Sequence, residues 1–218
     1  LLIAGSAILA MNPAYGDTVR VGVGEEFSSV VSLVEGRLEG EIAEPYRCLF
    51  ENSGHDVTFR VLPHARLIHE LRSGAVDVGL PLVHETSRDE FATLGDPVIE
   101  SHYLRVSLPG QTLAPEADSA NYVYLRGFAG GSILAELDGE SFEVSRWEQA
   151  IAMLERGRAD FLLITEKTFN QLSANNSAGF NVDVIRSLNV SFYVTNRRPA
   201  LLDTLNAANQ SCRQDSRS

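Results

Sequence analysis

The segment "LRSGAVDVGLPLVHETSR", residues 71–88, connects an amphipathic pattern to a hydrophobic run through a glycine and an aspartate. A second segment, "LERGRADFLLITEK", residues 154–167, repeats the order L-x-x-G-x-x-D followed by a hydrophobic run. In each copy the glycine is expected to end a helix in the left-handed conformation, and a buried strand is expected to begin near the aspartate. These pairs are Gly74 with Asp77 and Gly157 with Asp160. The sequence thus predicts one kind of joint twice, although such joints are common enough for two copies to be coincidental.

The segments before the first copy alternate between strand-like and helix-like patterns. The order is strand, helix, strand, helix, strand in "TVRVGVG" (18–24), "GEIAEPYRCLFENSG" (40–54), "DVTFRVLP" (56–63), "HARLIHELRSG" (64–74) and "AVDVGLPL" (75–82). This alternation predicts an α/β layer with parallel neighbouring strands. A similar order restarts at "YVYLRG" (122–127), after the low-patterned stretch "QTLAPEADSAN" (111–121). A final helix is expected in "PALLDTLNAANQ" (199–210), with proline at its start.

Two lobes of the α/β class are therefore predicted, with connections between them near residues 107 and 188. Lobe 1 is expected to contain residues 17–107 and 188–218, and lobe 2 residues 108–187. Ligands of open α/β sheets bind at the carboxyl ends of the strands. The residues that follow the repeated strands should therefore face a common cleft: Thr86 and Arg88 from lobe 1, and Thr165 and Glu166 from lobe 2.

Composition and charge restrict the function. The 218 residues are 44% hydrophobic and 22% charged, which is typical of a folded globular protein. The formal net charge of -11 argues against nucleic acid or an anionic membrane surface as the main partner. The sequence has no phosphate-binding loop, no metal-ligand spacing and no Ser-His-Asp order. We therefore expect no cofactor, no metal and no catalytic residues of these kinds.

The first residues, "LLIAGSAILAMNPAYGD" (1–17), have an apolar stretch followed by a turn and small residues. This order predicts part of a secretory signal peptide over residues 1–16, and hence a periplasmic location; a buried N-terminal helix is the alternative. The chain has two cysteines, Cys48 and Cys212. They could form a disulfide bond between the first and last helices or remain two free buried thiols, and the sequence leaves both open.

Five segments in this order resemble the extracellular solute-binding proteins of family 3, which are periplasmic receptors for amino acids and related polar solutes. They are "EGRLEGEIAEPYRCLFENSG" (35–54), "LRSGAVDVGLP" (71–81), "SRDEFATLGDP" (87–97), "VYLRGFAGG" (123–131) and "LERGRADFLLI" (154–164). The resemblance extends from about Val19 to Asn206. It implies a type II periplasmic-binding-protein fold, in which two lobes joined by a hinge close over a ligand, and a monomer.

The resemblance also implies site residues. Arg88, eight residues before Asp96, matches the family arginine that binds a ligand carboxylate, for which a planar guanidinium is well suited; a surface salt bridge is the alternative. Gly127, with Phe128 beside it, matches a glycine at a helix start, where backbone N–H groups favour an anion. Phe27 matches an aromatic residue that packs on the ligand, although a core position is the alternative.

The chain departs from the family pattern at several of these positions. Pro81, Leu82 and His84 occupy positions where small and hydroxyl residues usually bind the ligand, and His84 is the histidine expected at the cleft. Thr165 stands where amino-acid binders have the aspartate that holds the ammonium group, and Glu166 is a candidate substitute. A carboxylate without an amine, or another polar solute, therefore competes with a standard amino acid as the expected ligand.

The predicted function is a non-enzymatic binding protein that captures a small carboxylate-bearing solute for an ABC-type permease or a membrane sensor. One alternative is a secreted enzyme on the same scaffold, similar to the cyclohexadienyl dehydratases, in which Glu166 would be a general acid. The other is a ligand-sensing module without transport.

Overall fold

The computed structural model describes residues 18–110, 120–126, 133–134, 139–173 and 179–215. The strands are β1 (Val19–Gly24), β2 (Ser32–Val34), β3 (Arg37–Glu39), β4 (Val57–Leu62), β5 (Val78–Leu82), β6 (Ala92–Leu94), β7 (Ile99–Ser107), β8 (Asn121–Leu125), β9 (Glu140–Val144), β10 (Phe161–Thr165) and β11 (Asn181–Thr195). The helices are α1 (Ala43–Asn52), α2 (His64–Ser73), α3 (Trp147–Glu155), α4 (Glu166–Ser173) and α5 (Pro199–Asp215). The predicted α/β class is confirmed.

The two ends of the main sheet have the same strand order. In lobe 1, β1 pairs in parallel with β4 and β5, and β5 pairs with the antiparallel strand β11. In lobe 2, β8 pairs in parallel with β9 and β10, and β10 pairs with the antiparallel strand β7. Parallel neighbours require crossover connections, which explains why helical segments separate these strands in the sequence. The repeated pattern in the sequence thus corresponds to a repeated sheet topology.

Strands β7 and β11 connect the two lobes. They pair with each other in antiparallel register from Asn181 opposite Ser107 to Val190 opposite Ile99. The amino-terminal part of β11 thus lies beside β7, and its carboxyl-terminal part continues into lobe 1 beside β5 and β6. Together the two strands form an interlobe ribbon.

Each copy of the repeated motif closes its helix and starts its strand with the same backbone hydrogen bonds. Gly74 and Gly157 have positive φ angles of 74° and 64°, as predicted. Ala75 N donates to Glu70 O at 2.8 Å, and Arg158 N donates to Met153 O at 2.9 Å. The glycine in both copies therefore ends a helix in the left-handed conformation.

The aspartate of each copy fixes the start of the neighbouring strand. Asp77 N donates a hydrogen bond to Arg20 O at 2.8 Å, and Arg20 N donates one to Asp77 Oδ2 at 2.9 Å. Asp160 N donates to Asn121 O at 2.8 Å, and Asn121 N returns a bond to Asp160 Oδ2 at 2.8 Å. The spacing that the two copies share therefore has a structural reason: the carboxylate pairs with the first strand of its own lobe.

The first and last helices pack together on lobe 1. Helix α1 buries Ala43, Tyr46, Leu49 and Phe50, and helix α5 buries Leu201, Leu205, Ala208, Asn209 and Cys212. These three- and four-residue spacings place the apolar side chains of each helix on one face. Cys48 and Cys212 form a disulfide bond across this contact, with their Cα atoms 6.0 Å apart. Of the two alternatives that the sequence left open, a disulfide bond and two free thiols, the structure has the disulfide bond.

Some elements were not predicted from the sequence. No helix was assigned to residues 166–173, which form α4, and no hairpin was assigned to β2 and β3. The predicted signal peptide at residues 1–16 lies outside the described residues. Within the described ranges, no helix combines the length and the apolar character needed to cross a membrane.

Candidate ligand-binding cleft

A cleft lies between the lobes, and its lobe 1 wall is formed at the carboxyl ends of three parallel strands. Phe27 follows β1, His64 follows β4, and Val83 follows β5. The Phe27 and His64 rings make an edge-to-face contact with their centroids 5.5 Å apart. At the start of α2, the backbone N–H of His64 donates a hydrogen bond to Glu26 Oε2 at 2.7 Å. Three strand ends therefore converge on one wall.

Arg88 contributes a buried cation to this wall. Its exposed fraction is 2%, and Nη1 donates to the Val83 carbonyl oxygen at 2.9 Å. The guanidinium carbon lies 5.8 Å from the centroid of the Tyr193 ring. Burial lowers the pKa of Arg88 from its usual value, but an arginine side chain stays protonated at neutral pH. The wall thus presents a partly desolvated positive charge.

The lobe 2 wall comes from the end of β10 and the first turn of α4. Thr165 is buried, and its Oγ1 lies 3.0 Å from Thr168 Oγ1 in a hydrogen bond. Lys167 Nζ donates to Glu41 Oε1 at 2.7 Å across the cleft, and Gln171 Nε2 donates to Glu41 Oε2 at 3.0 Å. The hydrogen bond from Lys167 is the main reason why the pKa of Glu41 is lowered. This contact holds α4 against lobe 1.

The interlobe ribbon also contributes to the lining, through Ile99, Ser101 and Val190. Ser101 is 3% exposed, and its Oγ has no hydrogen-bond partner within the part of the chain that the structure describes. An unsatisfied buried hydroxyl is unfavourable, so a polar group placed beside it would be stabilised. Ser101 is therefore a second polar contact point in the cleft.

Comparison with solved structures identifies this architecture. The arginine-bound, truncated form of ArgBP from T. maritima matches with a TM-score of 0.74 and 18% identity, over 89% of this chain and 95% of that chain. The substrate-binding protein of an amino acid ABC transporter matches with a TM-score of 0.76 and 15% identity, over 91% and 94%. The chain has the two-lobed fold of type II periplasmic binding proteins. The predicted fold is confirmed.

A third similar structure is a histidine kinase sensor domain with similarity to periplasmic binding proteins. Its TM-score is 0.79 at 16% identity, over 93% of both chains. No family model matches the chain, and no curated protein matches it. At these identities the likeness shows the two-lobed fold alone.

The two-lobed structure brings three of the sequence-predicted site residues into the cleft and places three others outside its lining. Phe27, Arg88 and Thr165 line the cleft, with Pro81 and Leu82 beside them. The Leu80–Pro81 peptide bond is cis. The residues placed elsewhere are Thr86, His84 and Glu166.

Thr86 and His84 line a separate depression that also contains Tyr103 and Arg186. The reason is the tight helical turn Thr86–Arg88, in which successive side chains point in different directions, so that Arg88 is buried and Thr86 is exposed. His84 Nε2 lies 3.0 Å from Asp89 Oδ2. His84 thus lines this depression, and the histidine in the described cleft lining is His64.

Glu166 is the first residue of α4, and its side chain turns towards the interlobe ribbon. Glu166 Oε2 and His102 Nδ1 form a hydrogen bond of 2.7 Å. Glu166 is not part of the described lining of the cleft. Gly127 and Phe128 lie outside the described residues. Among the residues that the structure does describe, no cluster of three metal-ligating side chains occurs.

Sequence reasoning missed Ser101, Lys167 and His64. Ser101 lies within a long strand with no local motif, and its place in the cleft depends on the pairing of β7 with β11. Lys167 belongs to the helix that was not predicted. His64 begins α2 directly after β4, and this position at a strand end was the available signal.

Proposed function

We propose that the chain is a periplasmic solute-binding protein of the family 3 type, which captures a small carboxylate-bearing solute between its lobes for an ABC-type permease. The observation that carries the proposal is the buried Arg88 guanidinium in a cleft whose walls come from both lobes. A guanidinium can give a carboxylate two parallel charge-assisted hydrogen bonds. Closure of the lobes would exclude water and strengthen this contact.

The similar structures support a binding role through what their own descriptions say. One is bound to arginine, and another is the substrate-binding protein of an amino acid ABC transporter. In our proposal the protein acts as a monomer in the periplasm, after export by a signal peptide within residues 1–16. Lobe 1 comprises residues 17–107 and 188–218, and lobe 2 comprises residues 108–187.

Catalysis is not part of the proposal. The residue considered as a general acid, Glu166, is hydrogen-bonded to His102 and does not contribute to the described lining. A general acid must be within hydrogen-bond reach of its substrate. The cleft offers binding groups, namely a guanidinium, an ammonium group, an imidazole, hydroxyls and apolar side chains.

Thermal unfolding of the purified chain tests the proposal against a panel of amino acids, other carboxylates, amines and sugars. A ligand at a hundredfold excess over its dissociation constant should raise the free energy of unfolding by about 2.7 kcal/mol. We expect this gain with carboxylated compounds and expect Arg88→Ala to abolish it. Arg88→Lys should restore it only in part, because an ammonium group does not form the paired hydrogen bonds.

Arg37→Ala is the matched control, because Arg37 is an exposed arginine on the β2–β3 hairpin and its removal changes the net charge equally. This variant should respond to ligand as the unaltered chain does. A stabilisation by carboxylates that survives in Arg88→Ala would contradict the assignment of Arg88. Stabilisation by sugars or amines alone would contradict the proposed ligand class.

A sensing role is the second candidate, since one similar structure is a histidine kinase sensor domain. Both roles need the same ligand-dependent closure, so the partner distinguishes them. If the role is transport, the ligand-loaded protein should stimulate ATP hydrolysis by a permease in membrane vesicles prepared from the source cell. Stimulated autophosphorylation of a membrane kinase, without stimulated ATP hydrolysis by a permease, would favour sensing.

A further inference from the structure

The charged groups in the described cleft lining are cationic. Arg88 and Lys167 are both part of it, and none of the described lining residues is an aspartate or a glutamate. A ligand ammonium group in this part of the cleft would meet positive charge and no carboxylate. Because burying an unpaired charge is strongly unfavourable, the described walls disfavour a ligand that carries an amine.

Three carboxylates adjacent in sequence to cleft-lining residues, Glu41, Glu166 and Glu26, are engaged by other groups. Glu41 binds Lys167 and Gln171, at 2.7 Å and 3.0 Å. Glu166 binds His102, and Glu26 accepts a hydrogen bond from the backbone N–H of His64. An ammonium group could recruit Glu41 only by displacing Lys167, which would leave that lysine in the cleft without its carboxylate. The cleft therefore lacks a ready partner for an amine among these residues.

The remaining lining is mainly apolar. It includes Phe27, Ile42 and Leu82 from lobe 1, and Ile99 and Val190 from the interlobe ribbon. Apolar surface on a ligand would be removed from water against these side chains, which is favourable in proportion to the area buried. The polar exceptions are His64 and three hydroxyl side chains, and one of these hydroxyls is the unsatisfied Oγ of Ser101.

We propose that the ligand is a carboxylate that has an apolar aliphatic or aromatic body and lacks an α-ammonium group. This inference rests on the proposed function, since it assigns the ligand class of the same cleft. The carboxylate binds Arg88, the body packs against Phe27 and Leu82, and Ser101 offers a hydrogen bond to a polar atom of the ligand. Aliphatic and aromatic monocarboxylates share this chemistry, and the experiment separates them.

Calorimetric titration of the intact chain with matched pairs tests the inference. Leucine is compared with isocaproate, and phenylalanine with hydrocinnamate, because the members of each pair differ only in the α-amino group. Isoamylamine, which has the leucine side chain and an amine but no carboxylate, is the third arm. We expect the deaminated acid to bind roughly 100-fold more tightly than its amino acid, and we expect no binding of isoamylamine. The favoured pair tells whether the body is aliphatic or aromatic.

Each outcome bears on one proposal or the other. Equal or tighter binding of the amino acids overturns the inference and leaves the solute-binding function in place. Succinate and gluconate are titrated as polar carboxylates, and tighter binding of either than of both apolar acids overturns the proposal of an apolar ligand body. If no carboxylate binds, both the inference and the proposed function fail.

Substitution at Thr165 gives a second, independent test. Thr165 is buried on the lobe 2 wall, so Thr165→Asp places a carboxylate in the cleft. We expect this variant to bind isocaproate at least about 10-fold more weakly and leucine more tightly than the unaltered chain. Thr165→Asn is the control, because it has a similar size and no charge, and it should keep the preference for the acid. A preference that is unchanged in Thr165→Asp would contradict the inference.

Discussion

The joint between α2 and β5 in lobe 1 and the joint between α3 and β10 in lobe 2 have the same backbone hydrogen bonds but different side-chain support. Asp77 is 2% exposed and receives hydrogen bonds from Arg20 Nε at 2.9 Å and Arg20 Nη2 at 2.8 Å, with Arg198 Nη1 at 3.4 Å. Asp160 is only partly buried, and its Oδ2 accepts from the backbone of Asn121. The backbone geometry is thus common to both joints, and in lobe 1 it is accompanied by a buried network of Asp77 with Arg20 and Arg198.

The two joints also differ in the residue whose carbonyl oxygen accepts a hydrogen bond from the residue after the left-handed glycine. In lobe 1 it is Glu70, whose carboxylate binds Arg60 at 2.9 Å and Arg66 at 2.7 Å. In lobe 2 it is Met153, which packs against the core. Lobe 1 also carries the disulfide bond. One backbone geometry can therefore be supported by different contacts: ionic and covalent ones beside the joint of lobe 1, and apolar ones at Met153 in lobe 2.

The largest expected effect is the loss of the disulfide bond. Cys48 and Cys212 are separated by 164 residues, and a bridge over so long a span restricts the unfolded chain strongly. We expect the double variant Cys48→Ala with Cys212→Ala to lower the free energy of unfolding by about 3–5 kcal/mol, measured by denaturant unfolding. Hydrogen exchange should show the loss of protection in α1 and α5, with α3 and β10 little changed.

Ser211→Ala is the matched control for this variant, since Ser211 is exposed on α5 next to Cys212. It should change the free energy of unfolding by less than about 0.5 kcal/mol. Equal loss of exchange protection in both lobes after removal of the bridge would contradict the assignment of this stabilisation to lobe 1.

The second effect concerns the two aspartates. Asp77→Asn should cost about 2–3 kcal/mol in the free energy of unfolding, because it weakens buried charge-assisted hydrogen bonds. Asp160→Asn should cost about 1 kcal/mol, since Asp160 is less buried and an amide oxygen can still accept from Asn121 N. Denaturant unfolding of both variants at neutral pH measures the difference. Equal costs would show that the charge network of lobe 1 adds little.

The pH dependence of the Asp77→Asn effect is its control. Burial by itself raises the pKa of Asp77, but the hydrogen bonds and charge of Arg20 outweigh burial, and the pKa lies below its usual value. Stabilisation from a carboxyl group with a lowered folded pKa is complete above the unfolded pKa of about 3.9 and is lost as the pH falls through the folded pKa. The gap between the unaltered chain and Asp77→Asn should therefore stay constant near neutral pH and narrow below about pH 4.

The smallest effect separates the two glycines. Gly157→Ala should cost about 1 kcal/mol, because an L side chain in the left-handed conformation is unfavourable, while no other atom of the described residues lies within 4 Å of the new Cβ. Gly74→Ala should cost a few tenths of a kcal/mol more, since its Cβ would lie 2.7 Å from Arg197 Cδ and displace that flexible side chain. Thermal unfolding measures both. Asparagine at either position tolerates this conformation better and should recover part of the loss.

The sequence predicted the elements that depend on local patterns. The positive φ angles of Gly74 and Gly157 and the buried strands after them follow from residue types within a few positions. Helix α4 was missed because Glu166 follows Thr165 directly, without an intervening turn residue or capping side chain that would mark a new element.

Contacts over long sequence distances could not be predicted in this way. The disulfide bond depends on the packing of α1 against α5, and the position of Ser101 in the cleft depends on strand pairing between the lobes. For Phe27, Arg88 and Thr165, the rule that ligands bind at strand ends led to residues that line the cleft. It did not distinguish Arg88 from Thr86, because the direction of each side chain depends on one helical turn.

The pairing of β7 with β11 has a mechanical consequence for any movement between the lobes. Their register runs from Asn181 opposite Ser107 to Val190 opposite Ile99, so sliding one strand along the other would break many hydrogen bonds at once. Twisting a two-stranded segment keeps those bonds, since such segments tolerate a wide range of twist. We therefore expect the ribbon to permit rotation of one lobe relative to the other and to resist translation along the strands.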